Sequence, residues 1–195
     1  MAFRAEPMCC RSSPKLAAMP SDAFIQKMND QIAYEFAAEQ QYIAIAVHYD
    51  MHTLPRLATL FYKQALEERN HALMMVQYLL DRDSAVKIPG IEAPRNDFSD
   101  VVEPIALSLG QEKRVGNQIE ALSQLARDEK DYYSEQFMFW FLKEQVEEVA
   151  KMSDLLQVAE RERDNPSRIE DFIVREAFDA ESADPMAPSA AGGPG

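Results

Sequence analysis

The stretch EERNHALMM, residues 67–75, decides how this chain is read. On helical spacing it turns Glu68 and His71 toward the same side as Met75 and Tyr78. A soluble helix normally hides methionine and shows glutamate to water. A carboxylate turned inward needs a partner, and a metal ion is one of the few partners that also takes an imidazole beside it.

Working outward, Thr53 is placed to cap this helix, and Pro55 falls early enough in it to be tolerated. The helix is expected to run to about residue 83, with a stripe of Leu57, Phe61, Gln64, Glu68, His71, Met75 and Tyr78. Before it, Ser21 caps a helix that reaches about residue 50, with Met28, Ile32, Glu35, Glu39, Tyr42, Ala46 and Tyr49 along one face. After it the period fails. SAVKIPGIEAPRNDFSD, residues 84–100, has two prolines, one glycine and no helical pattern. Extended at ~3.3 Å per residue, it is long enough to travel the length of a helix that rises 1.5 Å per residue. A third helix is expected over about 101–128 (Ile105, Leu109, Glu112, Gly116, Ile119, Ala126) and a fourth over about 131–163 (Ser134, Met138, Phe141, Gln145, Glu148, Met152, Leu155). A short fifth helix starts near Ser167 and carries Ile169, Phe172, Ile173 and Phe178.

Four long helices with one long crossover between the second and third define an all-α four-helix bundle in which those two helices run parallel. The short fifth helix cannot bury its apolar face alone and is expected to meet copies of itself in an assembly; the alternative is that it folds back on its own bundle. The same interval separates Glu35 from Glu68 and Glu112 from Gln145, an internal echo of two similar helix pairs. Residues 1–20 and 179–195 lack apolar periodicity and read as disordered extensions around a single domain at 21–178.

The formal net charge of −13 argues against nucleic-acid binding, which depends on neutralising phosphates, and suits a protein that attracts cations. No segment approaches the ~20 apolar residues of a membrane span. The only cysteines, Cys9 and Cys10, are adjacent and build no disulfide framework, so a reducing cytoplasm is expected. With Met8 they form at most a weak metal site.

All four stripes break with polar residues partway along: at Glu35, at Glu68 and His71, at Glu112, and at Gln145 and Glu148. In an antiparallel bundle such breaks fall in one slab. Carboxylates gathered there repel unless cations settle them. Oxygen ligands with a little nitrogen suit iron or manganese better than structural zinc. Glu-x-x-His alone arises by chance on acidic helices; agreement among four helices does not.

The pieces YEFAAEQQYIAIAVHYD, FYKQALEERNHALMMVQYLLDRD, IPG and EQFMFWFLKEQVEEVA resemble the non-haem bacterial ferritins of actinobacterial type, over about residues 22–175. That resemblance implies a hollow homo-oligomeric shell of 24 subunits with octahedral symmetry. It also implies oxidation of Fe(II) by dioxygen or hydrogen peroxide at a dinuclear centre, and storage of the ferric mineral. Glu35, Glu68, His71 and Glu112 match the family's principal iron ligands, with Glu68 bridging. Gln145 and Glu148 match its second-site region, and Tyr42 its tyrosine beside the centre. Glu67, Glu144 and Glu147 match carboxylates of a third iron site. Haem is not expected, because Arg69 stands where bacterioferritins carry the haem methionine, and Gln145 and Glu148 replace their second Glu-x-x-His. The resemblance places threefold channels near Asp128, Asp131 and Glu135, though a solvated helix end explains the first two equally. The competing function is a structural or mineral-nucleating shell subunit with little or no ferroxidase activity.

Overall fold

The computed structural model describes residues 19–176 and 184–192. Cys9, Cys10 and Met8 of the expected weak metal site, and Phe178 of the expected fifth helix, lie outside them. Among the described residues five helices follow in order: α1 (Asp22–Met51), α2 (Pro55–Asp81), α3 (Glu103–Asp128), α4 (Tyr132–Arg161) and α5 (Pro166–Arg175). α1 packs chiefly on α2, and α3 on α4, with α1 against α3 joining the two hairpins. Short turns make each pair antiparallel, and the long crossover makes α2 and α3 parallel. No helix among the described residues is long and apolar enough to cross a membrane.

The core is two apolar clusters. One gathers Tyr49, Leu57, Phe61, Ile105, Met152 and Leu155; the other gathers Phe24, Met28, Ile32, Met75, Ile119 and Met138. Each long helix contributes to both clusters, and on each the polar break falls between the two contributions. Glu35 lies between Ile32 and Tyr42, Glu68 between Ala65 and Ala72, Glu112 between Leu109 and Val115, and Gln145 and Glu148 between Phe141 and Met152. The polar slab is therefore sealed above and below by packed hydrocarbon.

The crossover is held by two amides of α1. Asn29 Nδ2 donates to the Ala85 carbonyl (3.0 Å), and its Oδ1 accepts from Lys87 N (2.6 Å). Gln41 does the same with Arg95, donating to its carbonyl and accepting from its N–H, both at 2.9 Å. Each amide pairs with loop backbone as a neighbouring strand would. That satisfies a segment with no helix of its own. Tyr49 closes the far end by donating to the Val101 carbonyl at 2.8 Å.

Helix ends depart from the sequence reading at one place. Ser21 caps α1 as expected, accepting from Phe24 N. Thr53 does not cap α2. It has a φ of 58° and occupies the left-handed position that follows α1, as Asp83 and Lys130 do after α2 and α3. With only 6 glycines, the chain fills these positions with other residues. The cap of α2 comes instead from α5: Glu170 Oε1 accepts from Arg56 N (2.7 Å) and Leu57 N (3.3 Å).

That contact settles the orientation of α5. Ile169 and Ile173 are fully buried in the first cluster, against α2 and α4 of the same subunit, while Val174 faces outward. A ten-residue helix with an i, i+4 pair of isoleucines is narrow enough to hide its apolar face in the end of its own bundle. Residues 184–192 also depart from the structureless tail that composition suggests. Asp184 accepts from Trp140 Nε1 at 3.1 Å and pairs with Lys143, and Ala191 N donates to the Leu73 carbonyl at 3.0 Å.

Glu170→Ala should remove the α2 cap at a cost of ~1 kcal/mol, the usual size of a lost N-cap. Hydrogen exchange at Arg56 and Leu57 should accelerate while total helicity is unchanged. Unchanged exchange at both amides would show that α5 does not cap α2.

Candidate metal centre

Glu35 from α1, Glu68 from α2 and Glu112 from α3 are only 1%, 3% and 2% exposed. His71, one turn beyond Glu68, places Nδ1 3.5 Å from Glu68 Oε2. Glu35, Glu68 and His71 each offer a ligand atom within 4.8 Å of the others. The imidazole is wedged edge-on between Trp140 and Phe141, at centroid distances of 5.7 and 5.6 Å.

The slab is held in shape by neutral donors. Gln31 Nε2 donates to Glu35 Oε1 at 2.8 Å. Glu35 Oε2 is buried with no hydrogen-bond partner among the described residues. On Glu112, the Tyr42 hydroxyl donates to Oε1, while Gln145 Nε2 donates to Oε2 (2.7 Å) and to the backbone carbonyl (3.0 Å). Gln145 lies close over Gly116: a Cβ there would sit 3.0 Å from Gln145 Cγ, so glycine admits the amide. Gln64 Nε2 donates to Glu148 Oε2 at 2.8 Å, and Lys151 Nζ donates to Gln64 Oε1 at 2.6 Å.

The electrostatics follow from crowding. Burial first, then the facing Glu68, holds Glu35 well above the ordinary carboxylate range. Glu68 is raised by burial and then by Glu112. Glu112 is pushed up to about 7 by burial, although its hydrogen bonds from Tyr42 and Gln145 act the other way. Burial and then Glu112 raise the Tyr42 hydroxyl as well. Such a set holds protons until a cation replaces them. A carboxylate oxygen without a donor, a second carboxylate opposite and an imidazole alongside fit a divalent first-row metal.

The ferritin-like domain family matches residues 25–162. This chain belongs to the ferritin family. It is 58% identical over 166 residues to Ferritin BfrB of Mycolicibacterium smegmatis, covering 85% of this chain and 91% of that protein. To Ferritin BfrB of Mycobacterium tuberculosis it is 52% identical over 174 residues, covering 89% of this chain and 96% of the relative. The bundle also superposes on the open pore ferritin of the hyperthermophilic archaeon Archaeoglobus fulgidus with a TM-score of 0.76 and 25% identity, covering 83% of this chain and 99% of that one.

Within this ferritin, the residues singled out by sequence fall in two groups. Glu35, Tyr42, Glu68, His71, Glu112, Gln145 and Glu148 line the one slab between the clusters. Glu67, Glu144 and Glu147 lie at its margin, each beside a lysine. Glu67 is 4.0 Å from Lys151 Nζ, and Glu144 and Glu147 are 3.9 and 3.6 Å from Lys143 Nζ. The expected channel acids are engaged within the subunit. Asp131 caps α4 and pairs with Arg82, Glu135 pairs with Arg127, and Asp128 accepts from Gln124.

Gln31, Trp140 and Lys151 lie outside the residues to which the sequence pattern points. Gln31 is one turn before Glu35 and fully buried, and a glutamine beside an inward glutamate is the available signal. Trp140 and Lys151 carry no such signal, because their roles depend on where α4 faces α2.

Two outcomes are expected. Glu112 titrates near 4.5 when unfolded and at about 7 when folded, so the folded protein binds the extra proton between those values. Its contribution to metal-free stability is full below 4.5 and is lost as pH rises to about 7. Denaturant melts of wild type and Glu112→Gln should therefore diverge across that window, and parallel curves would refute the raised value. Second, Lys151→Met removes the ammonium that lies 3.7 Å from Glu148 and 4.0 Å from Glu67. Anaerobic Fe(II) calorimetry should then show tighter binding at the margin, by roughly tenfold for each ~1.4 kcal/mol of relieved competition. Weaker or unaltered binding would count against that competition.

Proposed function

We propose that Glu35, Glu68, His71 and Glu112 hold two Fe(II) ions as substrate, with Glu68 between them, and that Gln145 and Glu148 complete the second position. The protein is an iron-storing ferroxidase. The observation that carries the site assignment is the sealed slab in which three buried glutamates from three helices face one another, with an imidazole beside two of them.

The chain's residues perform definable steps. Fe(II) binding displaces protons from the raised carboxyls, and the charge that made the empty slab costly then binds the cations. Each ferrous ion gives one electron to dioxygen or hydrogen peroxide. Glu35 and His71 orient one metal and Glu112 the other, while the apolar clusters exclude bulk water. Tyr42 holds Glu112 through its hydroxyl. Glu148, drawn toward Gln64 and Lys151, faces the margin where Glu67, Glu144 and Glu147 offer a weaker third site. The ferric product passes into the cavity and hydrolyses there to mineral.

Arg69 is exposed on α2 in the position of the bacterioferritin haem methionine and offers haem iron no ligand, which supports a haem-free shell. The protein forms a homo-oligomeric shell. We assign it 24 subunits with octahedral symmetry and a cytoplasmic location. Exposed Ile43, Val47, Tyr62 and Leu66 form an apolar strip across α1 and α2, the kind of surface that a second copy covers. A mineral-nucleating shell without ferroxidase activity would not need a complete buried ligand set.

Glu68→Ala/His71→Ala should abolish rapid oxidation in stopped-flow absorbance, with shell mass unchanged by analytical ultracentrifugation. Wild-type initial rates in that variant would remove the assignment.

A further inference from the structure

The diiron slab uses one of the chain's three histidines. The other two, His48 and His52, stand one turn apart at the C-terminal end of α1, their ring centroids 4.4 Å apart. They line a cavity of about 360 Å³ with Leu54, Phe98, Asp100 and Arg163.

The arrangement sets the chemistry of both rings. His52 Nδ1 is 2.7 Å from the His48 carbonyl. A carbonyl only accepts, so Nδ1 carries the proton and Nε2 presents a lone pair. A backbone carbonyl on one imidazole nitrogen is also the usual support for metal binding at the other. His48 is half-buried, and burial followed by the neighbouring His52 lowers its pKa, which favours the neutral ligand form. Phe98 and Tyr49 meet the His48 ring edge-on at 5.1 and 5.5 Å and fix its plane. Neither ring nitrogen of His48 has a hydrogen-bond partner among the described residues.

The charged groups around the pair leave the imidazoles as its ligands. Asp100 is paired with Arg163 and accepts from Val102 N and Glu103 N at the start of α3. Arg95 lies over Phe98 and pairs with Glu103. Glu103 lends His48 a modest negative field.

We infer that His48 and His52 chelate one imidazole-seeking divalent ion, Cu(II) or Zn(II), at a site separate from the diiron centre. Two imidazoles one helical turn apart on the same face are a recurrent arrangement for such ions. Water completes the coordination on the open side of the cavity. The affinity order of divalent first-row metals places Cu(II) at the top and Fe(II) near the bottom, so a two-imidazole site holds Cu(II) well ahead of Fe(II).

Equilibrium dialysis of the assembled full-length protein against Cu(II) near neutral pH tests this. The comparison is wild type against His48→Phe and His52→Phe, which keep a ring in the stack and remove its nitrogens. Copper held by the diiron ligands or elsewhere is common to all three and cancels. Each variant should hold one copper per subunit fewer, and the wild-type-minus-variant electron paramagnetic resonance spectrum should show splitting by two nitrogens. Equal copper content, or a difference spectrum with fewer than two nitrogens, would overturn the site. His52→Gln, at an exposed position, gives the same reading should either phenylalanine disturb assembly.

Discussion

Burial of Glu35, Glu68 and Glu112 against one another is the constraint on which the rest of the structure rests. Three carboxylates from three helices are packed between two hydrocarbon clusters, and together they resist ionisation. The fold tolerates them through donors that hold them in place: Gln31 on one oxygen of Glu35, which leaves the other free, and Tyr42 and Gln145 on the two oxygens of Glu112. A hydrocarbon slab of the same shape would be more stable without metal. The arrangement makes sense as a place where cation binding releases the cost, and oxidation of a divalent ion on its way to storage is the function that uses it.

Much of this was legible in the sequence because the breaks in four apolar stripes share one period. A helix that buries Met75 and shows Glu68 on the same face cannot be explained by packing alone, and Glu35, Glu112 and Gln145 repeat the anomaly. The crossover was legible from its length and its prolines. Its attachment was not, because an Asn29 or Gln41 that pairs with loop backbone looks like any surface amide until the partner strand is placed.

What the sequence hid was interaction between distant segments. Thr53 has the composition of a cap, but its left-handed backbone takes it out of reach, and Glu170, far along the chain, does the capping. The fifth helix reads as short of partners because, in sequence, nothing shows its isoleucines any surface but water or neighbouring subunits. The open end of its own bundle accommodates both. Lys151 and Lys143 look like ordinary solubilising charges, yet they sit among the acids expected to bind a third iron. Asp131 likewise serves its own helix before any channel.

The groups that converge most closely, Glu35, Glu68 and His71, all belong to the α1–α2 hairpin. Glu112 arrives with α3, and Gln145 and Glu148 with α4. On the proposed assignment, the ligands of one metal position would therefore all come from the first hairpin, through contacts local in sequence. Those of the other would come from the long-range seam between hairpins. Loosening that seam would then disturb the second position before the first.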